Sequence, residues 1–428
     1  MKTTLLAACL LLGGSACAIN RTTPAISLGR AEADSTQIRS DIAYLASDNL
    51  EGRMIGTAGN DSAAAFIARR YKALRLEAPF PNYQQPFVAR SAAMAHSGDT
   101  AGVKTRNVAA ILRGSDPAYA NQYIVIGAHF DHLGRTTQFA TDPKAGDVIR
   151  NGADDNASGT AAVLQLARML SITRPKRSVV FANFSAEEEG LLGSQYFVEN
   201  SPVPLDSIVA MINFDMVGRL RDDKLLVLGS GSATEFPALL DSANLHIVPA
   251  FSISGGGDGF GASDNSSFYA KNIPTLHFFT DSHPDYHAAT DDADKINAAG
   301  EAKVVDLAFN TIRNLDARPV RLTFVKSTKP AQMAGASGSQ AYLGSVPDMA
   351  AGTVPGIKLT GVRAGSPAEK AGLQADDIIV ELGGARIIDL ESYAIALYSH
   401  KPGETVTIAY LRNGKRIETT VTLASRGS

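Results

Sequence analysis

Between about Asn107 and Leu315, short apolar runs of strand length alternate with longer stretches of helical periodicity. Few folds accommodate that alternation. The runs are NVAAIL, YIVIGAHF, SVVFANF, IVAMINFDM, LLVLGS and TLHFF, and the helical stretches include GTAAVLQLARML, FPALLDSAN and AAGEAKVVDLAFNTIRNL. Strands without alternating polar positions are buried on both faces, which requires helices on both sides of a parallel sheet. The predicted fold class is therefore α/β, with a mostly parallel central sheet flanked by helices. Upstream, IRSDIAYLAS and AAAFIARRYKAL are helical in spacing, and the Gly-rich LEGRMIGTAGN between them reads as a turn.

After KSTKPAQMAGASGSQ (Lys326 to Gln340), a small, polar stretch of linker composition, the pattern changes. IKLTGV, DIIVELGG and ETVTIAYLRNGKRIETTVTL read as strands, the last a hairpin turning at Asn413-Gly414. One helical stretch, LESYAIALYSH, interrupts them. The expected organisation is an export signal at 1–18, a large domain at 19–325, a linker at 326–340 and a small, mainly β domain at 341–428.

The signal assignment rests on MKTTLLAACLLLGGSACAIN, where Lys2 precedes an apolar core from Leu5 to Leu12 and then small residues. That core is too short for a permanent membrane span, and no later run reaches the length of one. Two endings fit: ACA (Ala16 to Ala18) suits release of a soluble protein, and GSAC suits lipidation at Cys17. The expected location is outside the cytoplasm, in the periplasm, either soluble or as an outer-membrane lipoprotein. Both cysteines, Cys9 and Cys17, lie in this segment, so a metal in the mature protein must be held by His and carboxylates. A net charge of -3 gives no electrostatic reason to bind nucleic acid, and membrane contact is expected only through a lipid at Cys17.

Polar residues gather just after the apolar runs. AHFDHLG supplies His129, Asp131 and His132; NGADDNASG puts Asp154, Asp155 and Asn156 directly ahead of a helix; SAEEEG supplies Glu187, Glu188 and Glu189. NFDMVG supplies Asp215, and DSHPDYHAATDD supplies His283, Asp285, His287 and Asp291. In an open α/β sheet the carboxyl ends of the strands form the ligand crevice. Two histidines with several carboxylates suit zinc, and there are enough ligands for two ions sharing one carboxylate. Each piece alone has a simpler reading. Asp154-Asp155-Asn156 can cap a helix, Asp215 can end a strand, His132 and His283 can be solvated loop histidines, and three glutamates can favour a helix start. Those readings leave unexplained why the same event recurs at five strand ends of one sheet.

In this order, AHFDHLG, GADDNASG, SAEEEGLLGS, NFDMVG and PDYHAATDD resemble the signatures of the co-catalytic di-zinc aminopeptidase family (clan MH, secreted bacterial leucyl aminopeptidase-like). The resemblance extends from about Ile38 to Leu315 and includes LEGRMIGTAG and SDNSSFYAKNIPTLHF. It implies the zinc exopeptidase fold and two Zn2+ per chain. By resemblance His129 and Asp215 bind one ion, Glu188 and His287 the other, and Asp155 bridges both. Glu187 is then the general base, Asp131 bonds the second nitrogen of His129, and Tyr286 supports the oxyanion. Asn265 departs from the pattern, standing where a His is frequent, which bears on substrate contacts.

AYLGSVPD followed by IKLTGVRAGSPAEKAGLQADDIIVELGG resembles a PDZ domain of the bacterial periplasmic-protease type. That implies capture of peptide or protein C-termini, with Tyr342, Leu343, Gly344 and Ser345 forming the carboxylate loop and the helix Leu390–Ser399 lining the groove. The function implied is a zinc-dependent aminopeptidase acting on peptides with a free N-terminus, with the PDZ domain recruiting substrate or partner. A glutaminyl cyclase or carboxypeptidase on the same fold, and a retired peptide-binding scaffold, are the alternatives.

Overall fold

The computed structural model describes residues 31–90, 101–136, 139–140, 142, 145–281, 283, 285–326, 341–347, 356–362, 365–387, 393, 396–397 and 400–425. The expected signal at 1–18 and residues 327–340 of the expected linker lie outside the described residues.

The first unit is built on a sheet of eight strands: β1 (Gln84–Ala89), β2 (Val103–Leu112), β3 (Tyr123–His129), β4 (Ser178–Phe184), β5 (Ile208–Phe214), β6 (Lys224–Leu228), β7 (Ser252–Gly256) and β8 (Thr275–Phe279). Their spatial order is β1-β2-β4-β3-β5-β8-β6-β7. The central strands β4, β3, β5 and β8 run parallel, while β2 and β6 join them antiparallel on either side. The sheet is therefore mixed, with a parallel core.

The flanking helices are α1 (Ser35–Leu45), α2 (Ala58–Ala73), α3 (Gly159–Thr173), α4 (Leu192–Glu199), α5 (Phe236–Asn244), α6 (Asn265–Tyr269) and α7 (Ala298–Ala317). Asp34, Thr57 and Asn297 cap α1, α2 and α7 by accepting main-chain N–H bonds in the first turn. Every residue of β3, β4 and β5 is buried, and the strands' two faces feed different layers. Ile124, Ile126 and Ala128 join the core under α1, α2, α3, α5 and α7, whereas Tyr123 and Val125 join the smaller core with Phe197 of α4 and Phe268 of α6. Full burial of Phe181, Phe184, Phe197, Phe214, Phe268 and Phe278 contributes about 1.5–3 kcal/mol each.

Phe324 still pairs with Ala233, and Val325 donates to the Ser232 carbonyl at 2.9 Å, so the chain stays on the first unit to that point. The C-terminal unit contains β9 (Ala341–Tyr342), β10 (Ser345–Pro347), β11 (Ile357–Val362), α8 (Pro367–Lys370), β12 (Ile378–Leu382), β13 (Ala385–Arg386), β14 (Thr405–Arg412), β15 (Lys415–Thr422) and β16 (Ala424–Ser425). The order β10-β11-β12-β14-β15 is antiparallel throughout, around a core that includes Leu343, Leu359, Ile379, Leu382 and Ile408. Asn413 and Gly414 both adopt positive φ, as the two-residue turn between β14 and β15 requires.

In the expected carboxylate loop, Leu343 is buried and its carbonyl accepts from Ala368 N at 2.8 Å. Gly344 takes φ 81°, and the Ser345 hydroxyl bonds that of Tyr393. Of the expected groove helix Leu390–Ser399, only Tyr393, Ala396 and Leu397 are described.

Candidate metal centre

His129 is the last residue of β3, and the ladder continues past it through Phe130 N to the Phe184 carbonyl at 2.9 Å. Asp215 follows β5, with its N–H on the Phe278 carbonyl at 3.2 Å. His283 and His287 follow β8. The three glutamates follow β4, in a turn that precedes α4 rather than in a helix: Gly190 N and Leu191 N both return to the Glu187 carbonyl. Gly193 lets α4 pack there, since a Cβ would stand 2.0 Å from the Ser185 carbonyl oxygen. Asp155 alone is not at a strand end. It lies in the tight turn Ala153–Ser158 leading into α3, so four strand ends and one helix entry converge instead of five strand ends.

That turn is tied to its neighbours. Asn156 donates to the Phe214 carbonyl at 2.9 Å and accepts from Gly159 N at 2.8 Å, a capping bond as the simpler reading had it. Asp291 Oδ2 accepts from Asp154 N and Asp155 N at 2.9 and 3.1 Å. The Asp155–Asn156 peptide is cis.

The geometry is centred on Asp155. His129 Nε2 lies 3.3 Å from Asp155 Oδ1 and 3.5 Å from Asp215 Oδ1. On the other side, His287 Nε2 lies 3.1 Å from Asp155 Oδ2 and 3.2 Å from Glu188 Oε2. The expected pairings are thus adjacent, with Asp155 facing both. Glu187 stands beside them, its Oε2 3.8 Å from His129 Nε2. Among the described residues, two groups offer ligand atoms all within 4.8 Å of one another: His129, Asp155 and Asp215, and His132, Asp155 and Glu188.

His132, expected as a solvated loop residue, is buried, with Nδ1 2.6 Å from Glu188 Oε1. His283 is buried too, with Nε2 3.0 Å from Asp154 Oδ2. Both were misread for one reason: a loop histidine is solvated only if no distant carboxylate folds onto it. The spacing of His132 three residues after His129 was the available signal. Asp131 also differs from expectation. His129 Nδ1 is 3.2 Å from the Asp131 main-chain carbonyl but 3.8 Å from its carboxylate, which accepts from Glu187 N at 3.2 Å instead. His287 Nδ1 is held similarly, by the Phe139 carbonyl at 2.9 Å. Tyr286 stacks on the His287 ring at 3.9 Å. Asn265 is buried between the Gly259 carbonyl and His277 Nδ1, a packing role at the start of α6.

Burial pushes the carboxyls of Asp131, Asp155, Glu187, Glu188 and Asp264 upward, and the imidazoles decide which ones resist. Burial and neighbouring Asp155 act to raise Glu188, yet His287 and His132 hold it at about 2. Asp155 is likewise kept well below the usual range by His129 and His287 against burial. Burial, with the fields of Asp264, Asp215 and Glu188, carries Glu187 well above it. Asp131 and Asp264 are both raised to about 7 by burial. His129 is raised well above its ordinary value because Glu187 and Asp215 outweigh its burial.

Asp215 Oδ1 and His132 Nε2 are buried without hydrogen-bond partners among the described residues. An imidazole-carboxylate donor set with buried, unanswered lone pairs fits divalent zinc.

A mixed sheet flanked by helices, with this centre at the carboxyl end of its parallel core, defines the class: the zinc exopeptidase fold. Residues 107–312 match the model of peptidase family M28, and residues 320–423 that of the PDZ domain. The first domain belongs to peptidase family M28, and a PDZ domain follows it.

A Zn-dependent exopeptidase from Parabacteroides distasonis superposes with TM-score 0.55 at 20% identity, covering 66% of this chain and 99% of that one. An aminopeptidase from Aneurinibacillus sp. strain AM-1 gives 0.53 at 18%, covering 70% and 98%. Among curated relatives, an aminopeptidase of Pseudomonas aeruginosa is 35% identical over 130 residues, 30% of this chain and 21% of that protein. A probable zinc metalloprotease of Pyrenophora teres f. teres is 36% identical over 119 residues, 28% of this chain and 24% of that one. The chain thus spans about a quarter or less of the length of these curated relatives.

Proposed function

We propose that the first domain is a zinc-dependent aminopeptidase that removes N-terminal residues from peptides. The observation that carries this reading is Asp155 facing His129 and Asp215 on one side and His287 and Glu188 on the other, with Glu187 alongside. His129 and Asp215 would hold one zinc ion, His287 and Glu188 a second, and Asp155 both. When bound, zinc supplies Lewis acidity that polarises a peptide carbonyl and brings the pKa of water towards about 7.

The chain's own residues do the rest. Glu187 accepts a proton from the attacking water and delivers it to the leaving amine. Its N–H is held by Asp131, so the base and the His129 loop move as one piece. His132 fixes Glu188 by one oxygen and leaves the other facing His287. Tyr286, stacked on His287, supports the oxyanion. The names of the P. aeruginosa and P. teres relatives agree with this reading.

The PDZ domain recruits substrate or partner C-termini by adding a strand at the edge of β10, which among the described residues pairs with β11 alone, with Tyr342 to Ser345 holding the carboxylate. The segment ending near Cys17 directs export to the periplasm, with a lipid anchor where Cys17 is modified. Residues 326–340 link the two domains.

The test is hydrolysis of aminoacyl chromogenic amides and their N-acetylated counterparts, before and after chelation and zinc add-back. Cleavage of the free-amine substrates alone, abolished by chelator and restored by zinc, is expected. Cleavage that survives thorough chelation, or that prefers the acetylated substrates, would contradict the proposal.

A further inference from the structure

LEGRMIGTAGN (Leu50 to Asn60) has no role in the chemistry above, yet it sends one side chain beneath the metal centre. Arg53 is fully buried, and its guanidinium forks over four main-chain carbonyls. Nε donates to Phe130 O at 2.7 Å, Nη1 to Leu45 O and Asn151 O at 2.6 Å each, and Nη2 to Gly152 O at 2.9 Å. Phe130 lies between His129 and Asp131, and Asn151 and Gly152 lead directly into Asp154 and Asp155. One planar cation thus ties the loop carrying His129 to the turn carrying Asp155.

The clamp is itself anchored. Asn60 Nδ2 donates to the Arg53 carbonyl at 3.0 Å, and Gly134 N to the Gly52 carbonyl at 3.2 Å. The far side of the turn is equally tight. A Cβ on Gly152 would stand 2.1 Å from the Asp155 carbonyl and 2.4 Å from the His132 ring. Burial lowers the Arg53 pKa to about 10, and the fields of Asp155, Asp131, Asp291 and Glu188 oppose that fall and help keep the guanidinium charged. An ammonium could supply the charge but not a rigid fork reaching carbonyls on separate loops.

We propose that Arg53 is a positioning residue for the metal centre, fixing the separation of His129 from Asp155 and so the spacing at which this site accepts its cations. It acts through main-chain carbonyls and touches no ligand side chain. The inference rests on the metal-centre reading of the proposed function.

Arg53→Lys in the full chain keeps a cation in the pocket and removes the fork. The protein is stripped of metal and studied at a temperature where circular dichroism shows wild type and variant both folded. Zinc affinity, measured by competition with a chromogenic chelator, is expected to fall about 10–100-fold, the usual effect of losing support behind a ligand. The ligand-field absorption of the cobalt(II)-loaded variant is expected to shift, which a purely stabilising arginine would not cause. A folded Arg53→Lys protein with wild-type zinc affinity and an unchanged cobalt spectrum overturns the proposal.

Should that variant not fold, Asn60→Ala loosens the arginine's seat without entering the carboxylate basin. A several-fold loss of zinc affinity is then expected, and unchanged affinity overturns the proposal. Wild-type protein that takes up neither zinc nor cobalt would remove the underlying reading instead, an outcome visible without any variant.

Discussion

Glu187 and Glu188 are neighbours in the chain and occupy opposite environments. Glu188 receives His132 on one oxygen and His287 on the other, while Glu187 lies 3.8 Å from His129 and its carboxyl is raised by burial and by the fields of Asp264, Asp215 and Glu188. The first is arranged as a ligand and the second as a group able to hold a proton. Glu187→Gln keeps the shape and removes the proton acceptor, so turnover should drop roughly 10²–10⁴-fold with zinc content and melting temperature nearly unchanged. Steady-state kinetics beside zinc analysis checks this, and near-normal turnover would disprove the role. The gathering of His129, Asp155, Glu188, Asp215 and His287 was legible because their chemistry and order are carried by local sequence. His132 and Asp131 were not. Whether a carboxylate 56 positions away, Glu188, closes on His132 is decided by the sheet, and no window of sequence contains it.

The buried strands were the most legible elements. β3, β4 and β5 are continuous apolar runs because both faces are covered, and their ends were correctly marked by the polar residues that follow. The edge strand β7 was passed over because SISGG is exposed or half-buried and has no apolar face to announce it. The short helix α4 was hidden behind the glutamates, whose charges suggested a helix start one turn too early.

Element packing also creates a pH dependence. Glu301, in the first turn of α7, is fully buried with neither oxygen hydrogen-bonded among the described residues, and burial, then Asp154 and Asp41, raise its carboxyl well above the ordinary range. The folded chain keeps this proton after the unfolded chain has released it. The group's stabilising contribution is therefore complete below the ordinary glutamate range and is lost as pH rises through the folded value, by up to about 1.4 kcal/mol per pH unit. Glu301→Gln should remove that slope. In chemical denaturation of the metal-free protein, its stability relative to wild type should improve as pH rises above the ordinary glutamate range. A pH-independent difference between the two would show that Glu301 does not titrate in this way.

For the whole molecule, alternation of apolar runs and helical stretches sufficed to name an α/β sheet and a separate β unit, because layer architecture follows from which faces must be buried. It did not give the antiparallel flanks, since β2 and β6 carry the same apolar composition whichever way they run. It did place Asp155 directly ahead of a helix, but not the contacts that hold that helix entry. That turn is held by three distant segments, through the Phe214 carbonyl, Asp291 and Arg53.

The central claim is that those segments make Asp155 the shared element of a two-ion site. Zinc stoichiometry, titrated on metal-stripped wild type and on Asp155→Asn and Asp215→Asn, tests it most directly. The account predicts two ions per chain in the wild type, one in Asp215→Asn, and weakened binding of both ions in Asp155→Asn. One ion per wild-type chain, or an Asp155→Asn protein that still takes up two with wild-type affinity, would contradict it.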